Sequence, residues 1–161
     1  MNPTKNDLTL DTRSKMVELL NARLADTIDL FNQLKQAHWN VKGPHFRALH
    51  ELFDDLAEHA EGWSDELAER AVALGGIARG TSGTVAKRSA LPAYGEDLLD
   101  GAAHVAALST SMAKYAANVR AAIDAADAAG DKVTADLFNE ITGGADKDLW
   151  FLESHLQGGH R

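Results

Sequence analysis

Residues 38–56 read HWNVKGPHFRALHELFDDL. The stretch contains a break and a motif. Val41-Lys42-Gly43-Pro44-His45-Phe46 interrupts two helical patterns. Pro44 is suited to open the second of them, because a first-turn residue needs no N–H. The motif is His38, His50 and Asp54, with His50-Glu51-Leu52-Phe53-Asp54 resembling the start of a zinc-protease helix. That helix needs a second histidine at position 54, and an aspartate stands there instead.

Upstream of the break, Met16, Leu20, Leu24, Ile28, Phe31 and Leu34 recur at three- and four-residue steps. This spacing predicts an amphipathic helix over about 12–39. Downstream, Phe46, Leu49, Phe53, Leu56, Ala60, Trp63, Leu67, Ala71 and Leu74 predict a second over about 45–74. Gly75-Gly76 ends it. A third pattern, from Leu98 through Val105, Met112 and Tyr115 to Ile123, covers about 96–129. A fourth, from Val133 through Leu137, Ile141 and Leu149 to Leu156, covers about 131–157. Gly143-Gly144 lies inside the fourth and costs roughly 2 kcal/mol of helix propensity, so a kink or a close packing contact is expected there.

Residues 76–94 form the one long connection, with room for a short helix. A second helix about 45 Å long can be retraced by such a segment, at up to ~3.4 Å per extended residue. The short turns make helices one and two antiparallel, and likewise three and four. The expected fold is all-α: a ferritin-like four-helix bundle with a long crossover between helices two and three. A cytokine-like bundle fits less well, since it needs two long crossovers. One domain is expected over 1–161, with a flexible tail at 1–11 and a short one at 158–161.

Composition narrows the chemistry. The 161 residues include no cysteine, so any metal must be held by His, Asp and Glu. Such donors favour iron, manganese or zinc over thiolate chemistry. A formal net charge of −8 argues against general nucleic-acid binding. The N-terminal segment sets Lys5 against Asp7 and Asp11, which is no polybasic arm. No apolar run reaches membrane-span length, and the polar N-terminus lacks a signal-peptide core. A cytoplasmic location is expected.

Helix geometry then constrains the motif. With His50 at zero on a wheel of about 100° per residue, Asp54 falls at about 40°, Asp65 at about 60° and Glu69 at about 100°. The apolar positions cluster between about −60° and about −140°, so this stripe points away from the chain's own core. His50 with Asp54, and Asp65 with Glu69, form two clusters about 16 Å apart along the axis. A metal with ~2 Å bonds cannot touch both on one straight helix. A second chain set antiparallel, with a two-fold axis near residues 59 and 60, brings the halves together twice. His38 can join the His50 side across the turn. The donor set suits iron(II), with zinc or manganese as alternatives. Spacing alone also fits a solvated acidic face, a surface His50–Asp54 pair and a core His38.

Residues 37–76, AHWNVKGPHFRALHELFDDLAEHAEGWSDELAERAVALGG, closely resemble the signature of the Dps family of miniferritins, the DNA-binding proteins from starved cells. His38, Trp39, Asn40, Gly43, His50, Asp54, Asp65, Glu69 and Arg70 match the family pattern without departure. ADKDLWFLESHL, at 145–156, is similar to the family's last helix. The resemblance implies a homo-oligomer, a hollow dodecamer built from two-fold dimers. It implies a ferroxidase that oxidises Fe(II) with hydrogen peroxide, stores Fe(III) mineral and protects against oxidative damage. His38, His50 and Asp54 of one subunit would face Asp65 and Glu69 of its neighbour. Trp39 would sit beside the centre to intercept oxidising species. Asp127, Asp131 and Asp136 are candidates for an acidic three-fold pore admitting iron. DNA compaction, the rival function, would use a lysine-rich tail, which this sequence lacks. Weak or absent DNA binding is expected, with nucleoid association left open. A metal-free helical scaffold is the third reading.

Overall fold

The helix ends follow from local chemistry. In the computed structural model, which describes residues 1–157, Thr9 caps the first helix by accepting a hydrogen bond from the Thr12 N–H at 3.1 Å. Helix α1 runs Leu10–Asn40 and α2 Phe46–Ala73, with His45 as N-cap. Pro44 thus precedes the helix by two residues instead of opening it. Gly43 turns the chain at φ +112°, a conformation that favours glycine. Gly75, at φ +86°, closes α2, and the Gly76 N–H donates back to the Ala71 carbonyl at 2.9 Å.

The short helix α3 spans Ser82–Arg88, inside the crossover as expected. Helix α4 spans Gly101–Ala128 and α5 Lys132–Ser154. The start of α4 lies about one turn later than the pattern predicted. Asp100 caps it by accepting from the Ala103 N–H at 3.0 Å, and Leu98 remains in the loop. No strand occurs among the described residues; one isolated bridge joins Lys42 to Asp100.

The four long helices form one bundle. Partner numbers fall on α5 as they rise on α2: His59 meets Asp148, Trp63 meets Gly144, and Arg70 meets Asp131. The two helices are therefore antiparallel. The same holds for α1 and α4, where Arg23 meets Asn118, Thr27 meets Tyr115 and Gln33 meets Ser111. Phe53, Leu56, Leu67, Tyr115, Phe138 and Ile141 fill the centre with no exposed surface to speak of. Phe46, expected in the core, is 47% exposed and stacks on the His50 ring.

The crossover is tied down by polar groups of α1. Asn21 bonds the Ile77 carbonyl and the Arg79 N–H, at 3.0 and 2.7 Å. Buried Asp26 accepts from the Ala90 N–H at 2.8 Å, and Asp29 accepts from the Ser89 hydroxyl. Gln33 donates to the Pro92 carbonyl at 3.1 Å. The segment expected as an N-terminal tail also makes contacts. The Asn2 N–H donates to the Gly75 carbonyl at 2.6 Å, and Arg13 bridges the Leu8 and Leu74 carbonyls at 3.1 Å each. The expected C-terminal tail, 158–161, lies outside the described residues.

The glycine pair in α5 resolves into two different roles. The helix continues through both. A Cβ on Gly144 would stand 2.7 Å from Trp63 Cζ2, whereas one on Gly143 meets nothing within 4 Å. Gly144 is the close contact that lets the indole into the bundle, where it stacks on Tyr115 with centroids 5.9 Å apart. Gly143→Ala should therefore raise the denaturation midpoint, by about 0.5–1 kcal/mol of stability. Gly144→Ala should lower stability by about 1–2 kcal/mol despite the same gain in helix propensity. Equilibrium urea denaturation of the two variants compares them; equal gains would overturn the packing assignment.

Candidate metal centre

The turn between α1 and α2 holds the two imidazoles in one rigid unit. His38 Nδ1 lies 2.8 Å from the His50 carbonyl, and His50 Nδ1 lies 2.7 Å from the His38 carbonyl. The rings stack with centroids 3.7 Å apart and planes 19° apart. A carbonyl oxygen only accepts, so both Nδ1 atoms must carry the hydrogen. The neutral rings therefore present Nε2 lone pairs, the form in which imidazole binds a metal. Each ring's orientation is set by the other's backbone before any ligand arrives.

Asp54 stands one turn after His50. Its Oδ1 lies 3.8 Å from His38 Nδ1 and 2.5 Å from the Lys35 ammonium. The Lys35 hydrogen bond is the main reason the Asp54 carboxyl titrates below its usual range; burial opposes it, and His38 and His50 assist. The carboxylate is thus an anion held by a single movable cation. Lys35 lies outside the residues singled out from the sequence. Its position one turn before His38, on the same face of α1, is the signal that was there to use. Trp39 is 66% exposed, with Lys35 Nζ 6.0 Å from its ring.

Asp65 and Glu69 are exposed on α2 and make no hydrogen bond among the described residues. Asp65 lines a groove of about 810 Å³ together with Leu24, Ile28 and Ala68 and the acids Glu58 and Glu61. Glu69 lines an adjoining one of about 440 Å³ with Val72 and Ala78. The structure therefore brings His38, His50 and Asp54 together and leaves Asp65 and Glu69 apart from them. Among the described residues, no group of three or more His, Asp or Glu in this chain could hold a metal. His38 and His50 fit metal ligation by their tautomers, with Asp54 alongside. The two acids face open concave surface.

The three acids assigned to a pore separate. Asp127 and Asp136 line one open concavity of about 460 Å³ with Lys132 and Asn139, and Asp127 pairs with Lys132 at 2.7 Å. Asp131 is not there; that expectation is corrected. It is 2% exposed and caps α5, accepting from the Thr134 N–H at 3.0 Å and from the Thr134 hydroxyl. The Arg70 guanidinium also reaches both its oxygens, at 2.8 and 3.0 Å. An N-cap and a pore acid look alike in sequence. Arg70, the residue after Glu69, is the clamp that fixes the end of α2 to the start of α5.

Comparison with known proteins agrees with this architecture. A family model described as ferritin-like domain matches residues 17–161. A DNA protection during starvation protein of Agrobacterium fabrum is 44% identical over 154 residues, spanning 96% of this chain and 95% of its own. A protein of the same description from Brevibacillus brevis is 35% identical over 86% of this chain and 93% of its own. Among solved structures, Dps from Mycobacterium smegmatis superposes with a TM-score of 0.91 at 32% identity, over 99% of this chain and 96% of that one. The archaeal Dps homologue of Halobacterium salinarum gives 0.92 at 31% identity, over 99% and 88%. The chain belongs to the ferritin-like domain family, and within it to the Dps miniferritins. No helix among the described residues is long and apolar enough to cross a membrane.

The Asp131 clamp makes a pH prediction. Burial alone would raise this carboxyl's pKa, but the Thr134 and Arg70 hydrogen bonds outweigh it and the net shift is downward. A depressed folded pKa stabilises above the unfolded value of about 3.9, and that stability is lost as pH falls through the folded pKa. Asp131→Asn should cost about 3 kcal/mol at pH 7, because Arg70 loses its counter-charge. The deficit should shrink as pH falls from about 5 towards 2. Urea titrations across that range test it; a pH-independent deficit would count against the ion pair.

Proposed function

We propose that this chain is a ferroxidase and iron-storage subunit whose metal centre forms only between two copies. His38, His50 and Asp54 of one subunit face Asp65 and Glu69 of its two-fold partner. The observation that carries the reading is the pair of imidazoles with Nδ1 tied to backbone. Their tautomers suit metal ligation, yet with Asp54 alone beside them no group of three donors that could hold a metal is found among the described residues. The groove beside Asp65, lined by Leu24, Ile28 and Ala68 as well as by acids, supports it, since this is the surface a partner's α1–α2 corner would cover. The reading carries a cytoplasmic location and a closed homo-oligomer, the dodecamer, with it.

Ferrous iron is the substrate. Carboxylates attract the hard cation and the imidazoles fix its geometry. Two ferrous ions held together give two electrons to one hydrogen peroxide. With two protons taken up, the O–O bond breaks to water and both ions become ferric. A two-electron reduction avoids releasing hydroxyl radical. Lys35 would leave Asp54 as the cation arrives, replacing one positive charge by another. Trp39, beside the centre, can donate an electron to an oxidant that escapes. Asp127 and Asp136 are the acids proposed to admit iron. Zinc or manganese can occupy the same donors without the redox step.

A split centre can be tested by complementation. Asp54→Ala and Asp65→Ala should each abolish fast peroxide-driven Fe(II) oxidation. Reassembly of the two variants as an equal mixture should restore about a quarter of wild-type activity. Half the dimers are then mixed, and each of those holds one intact site of two. Stopped-flow absorbance of ferric product, with sedimentation to confirm assembly, reads this out. Mixed assemblies no more active than their parents would sink the shared site.

DNA binding should be weak. The N-terminal segment carries little positive charge and the chain is acidic, so little counterion release is available. Retardation of duplex DNA at ~0.15 M salt should be absent at micromolar protein. Tight stoichiometric shifts there would favour a DNA-compacting role instead.

A further inference from the structure

A second imidazole–carboxylate unit lies on the other side of α2, away from the proposed centre. Asp148 of α5 is 1% exposed, and both its oxygens meet His59 Nδ1, at 3.1 and 3.0 Å. His59 is its sole hydrogen-bond partner among the described residues. Lys147, its neighbour in sequence, extends over the Phe151 ring instead, at 5.7 Å. Burial pushes the Asp148 carboxyl up in pKa, and the His59 hydrogen bond and charge push back. An ionised Asp148 only accepts, so Nδ1 carries the hydrogen and the neutral ring holds its lone pair on Nε2.

This is more than a fastener between helices. A fastener would gain from hiding both partners, but the His59 side chain is 49% exposed. Nε2 has no protein partner among the described residues. The ring lies 6.1 Å from the Trp63 ring, inclined at 34°, so its orientation is held from two sides. A buried carboxylate that orients an imidazole and raises its basicity, with the far nitrogen facing solvent, is the arrangement that metal-binding histidines use. Asp55 lies one helical turn before His59 on the same face of α2, exposed and without a partner among the described residues.

We propose that His59 Nε2 and Asp55 form a second cation site for a divalent transition metal, with Asp148 as the positioning residue. Two protein donors leave the other coordination positions to water, so the ion is held loosely and exchanges. All three side chains come from one chain, and none is a donor of the proposed shared centre.

The test uses the assembled protein carrying His50→Ala and Asp54→Ala, which silences the shared centre. Anaerobic titration with cobalt(II) alone, followed by calorimetry and visible absorbance, should find about one ion per chain with a nitrogen-ligand band. Adding His59→Gln should abolish it, and adding Asp148→Asn should weaken it by roughly 10- to 100-fold. Cobalt binding unchanged by His59→Gln, or absent from the starting variant, overturns the proposal. His59 is on the surface, so His59→Gln stays informative even if Asp148→Asn fails to fold. Peroxide-driven iron oxidation by the wild type decides the shared centre separately.

Discussion

An α-helix cannot shorten itself. Helix α2 is 28 residues long and advances about 1.5 Å per residue, so what its sequence spaces apart stays apart. His50 and Asp54 lie near one end, Asp65 and Glu69 near the other. The buried residues of the same helix, from Leu49 to Ala71, fix which face turns inward. Rotating α2 to bring the acids inside would expose Phe53, Leu56 and Leu67 to water, at about 1.5–3 kcal/mol each. Rigid spacing along the axis and fixed rotation about it leave the His50–Asp54 and Asp65–Glu69 pairs facing outward and separated.

The bundle that holds α2 depends on a less visible feature of α1. Asn21, Asp26, Asp29 and Gln33 form a polar seam along one face of α1. Their partners are groups of the crossover, so the seam guides that long segment along α1. Leaving such buried groups unpaired would cost about 1–3 kcal/mol each. The segment's course is therefore specified by these hydrogen bonds together with the burial of Val85 and the packing of Ala78, Leu91 and Tyr94 on the core. The same logic holds at the opposite corner, where Arg70, Asp131 and Thr134 set the register of α5 against α2.

Much of this was legible beforehand, because the apolar positions of four helices repeat at helical spacing and glycines mark three of the turns. The outward stripe on α2 followed from the same wheel. What escaped notice shares a cause: each concerned polar side chains with two roles that sequence cannot separate, or a helix end. Asp131 reads equally well as a cap and as a surface acid. Lys35 reads as a solvated charge until the fold sets it on Asp54. Leu98 fits the α4 pattern, but Asp100 caps the helix first. Phe46 fits the α2 pattern and yet lies at an end where it stays half-exposed, stacked on the His50 ring. Helix periodicity reports on which face is apolar and says little about the termini.

The stacked histidines bear on timing. A free imidazole in water exchanges its proton between two nitrogens, and a cation must find the right form. Here the backbone has already chosen for both rings, at 2.7 and 2.8 Å. No tautomer change stands between an arriving ion and its first two donors. On the proposed reading, the subunit carries its half of the chemistry ready-made once it folds, and the step left is the meeting of two chains. In that proposal the concentration of subunits, and not rearrangement within one, sets when the centre forms.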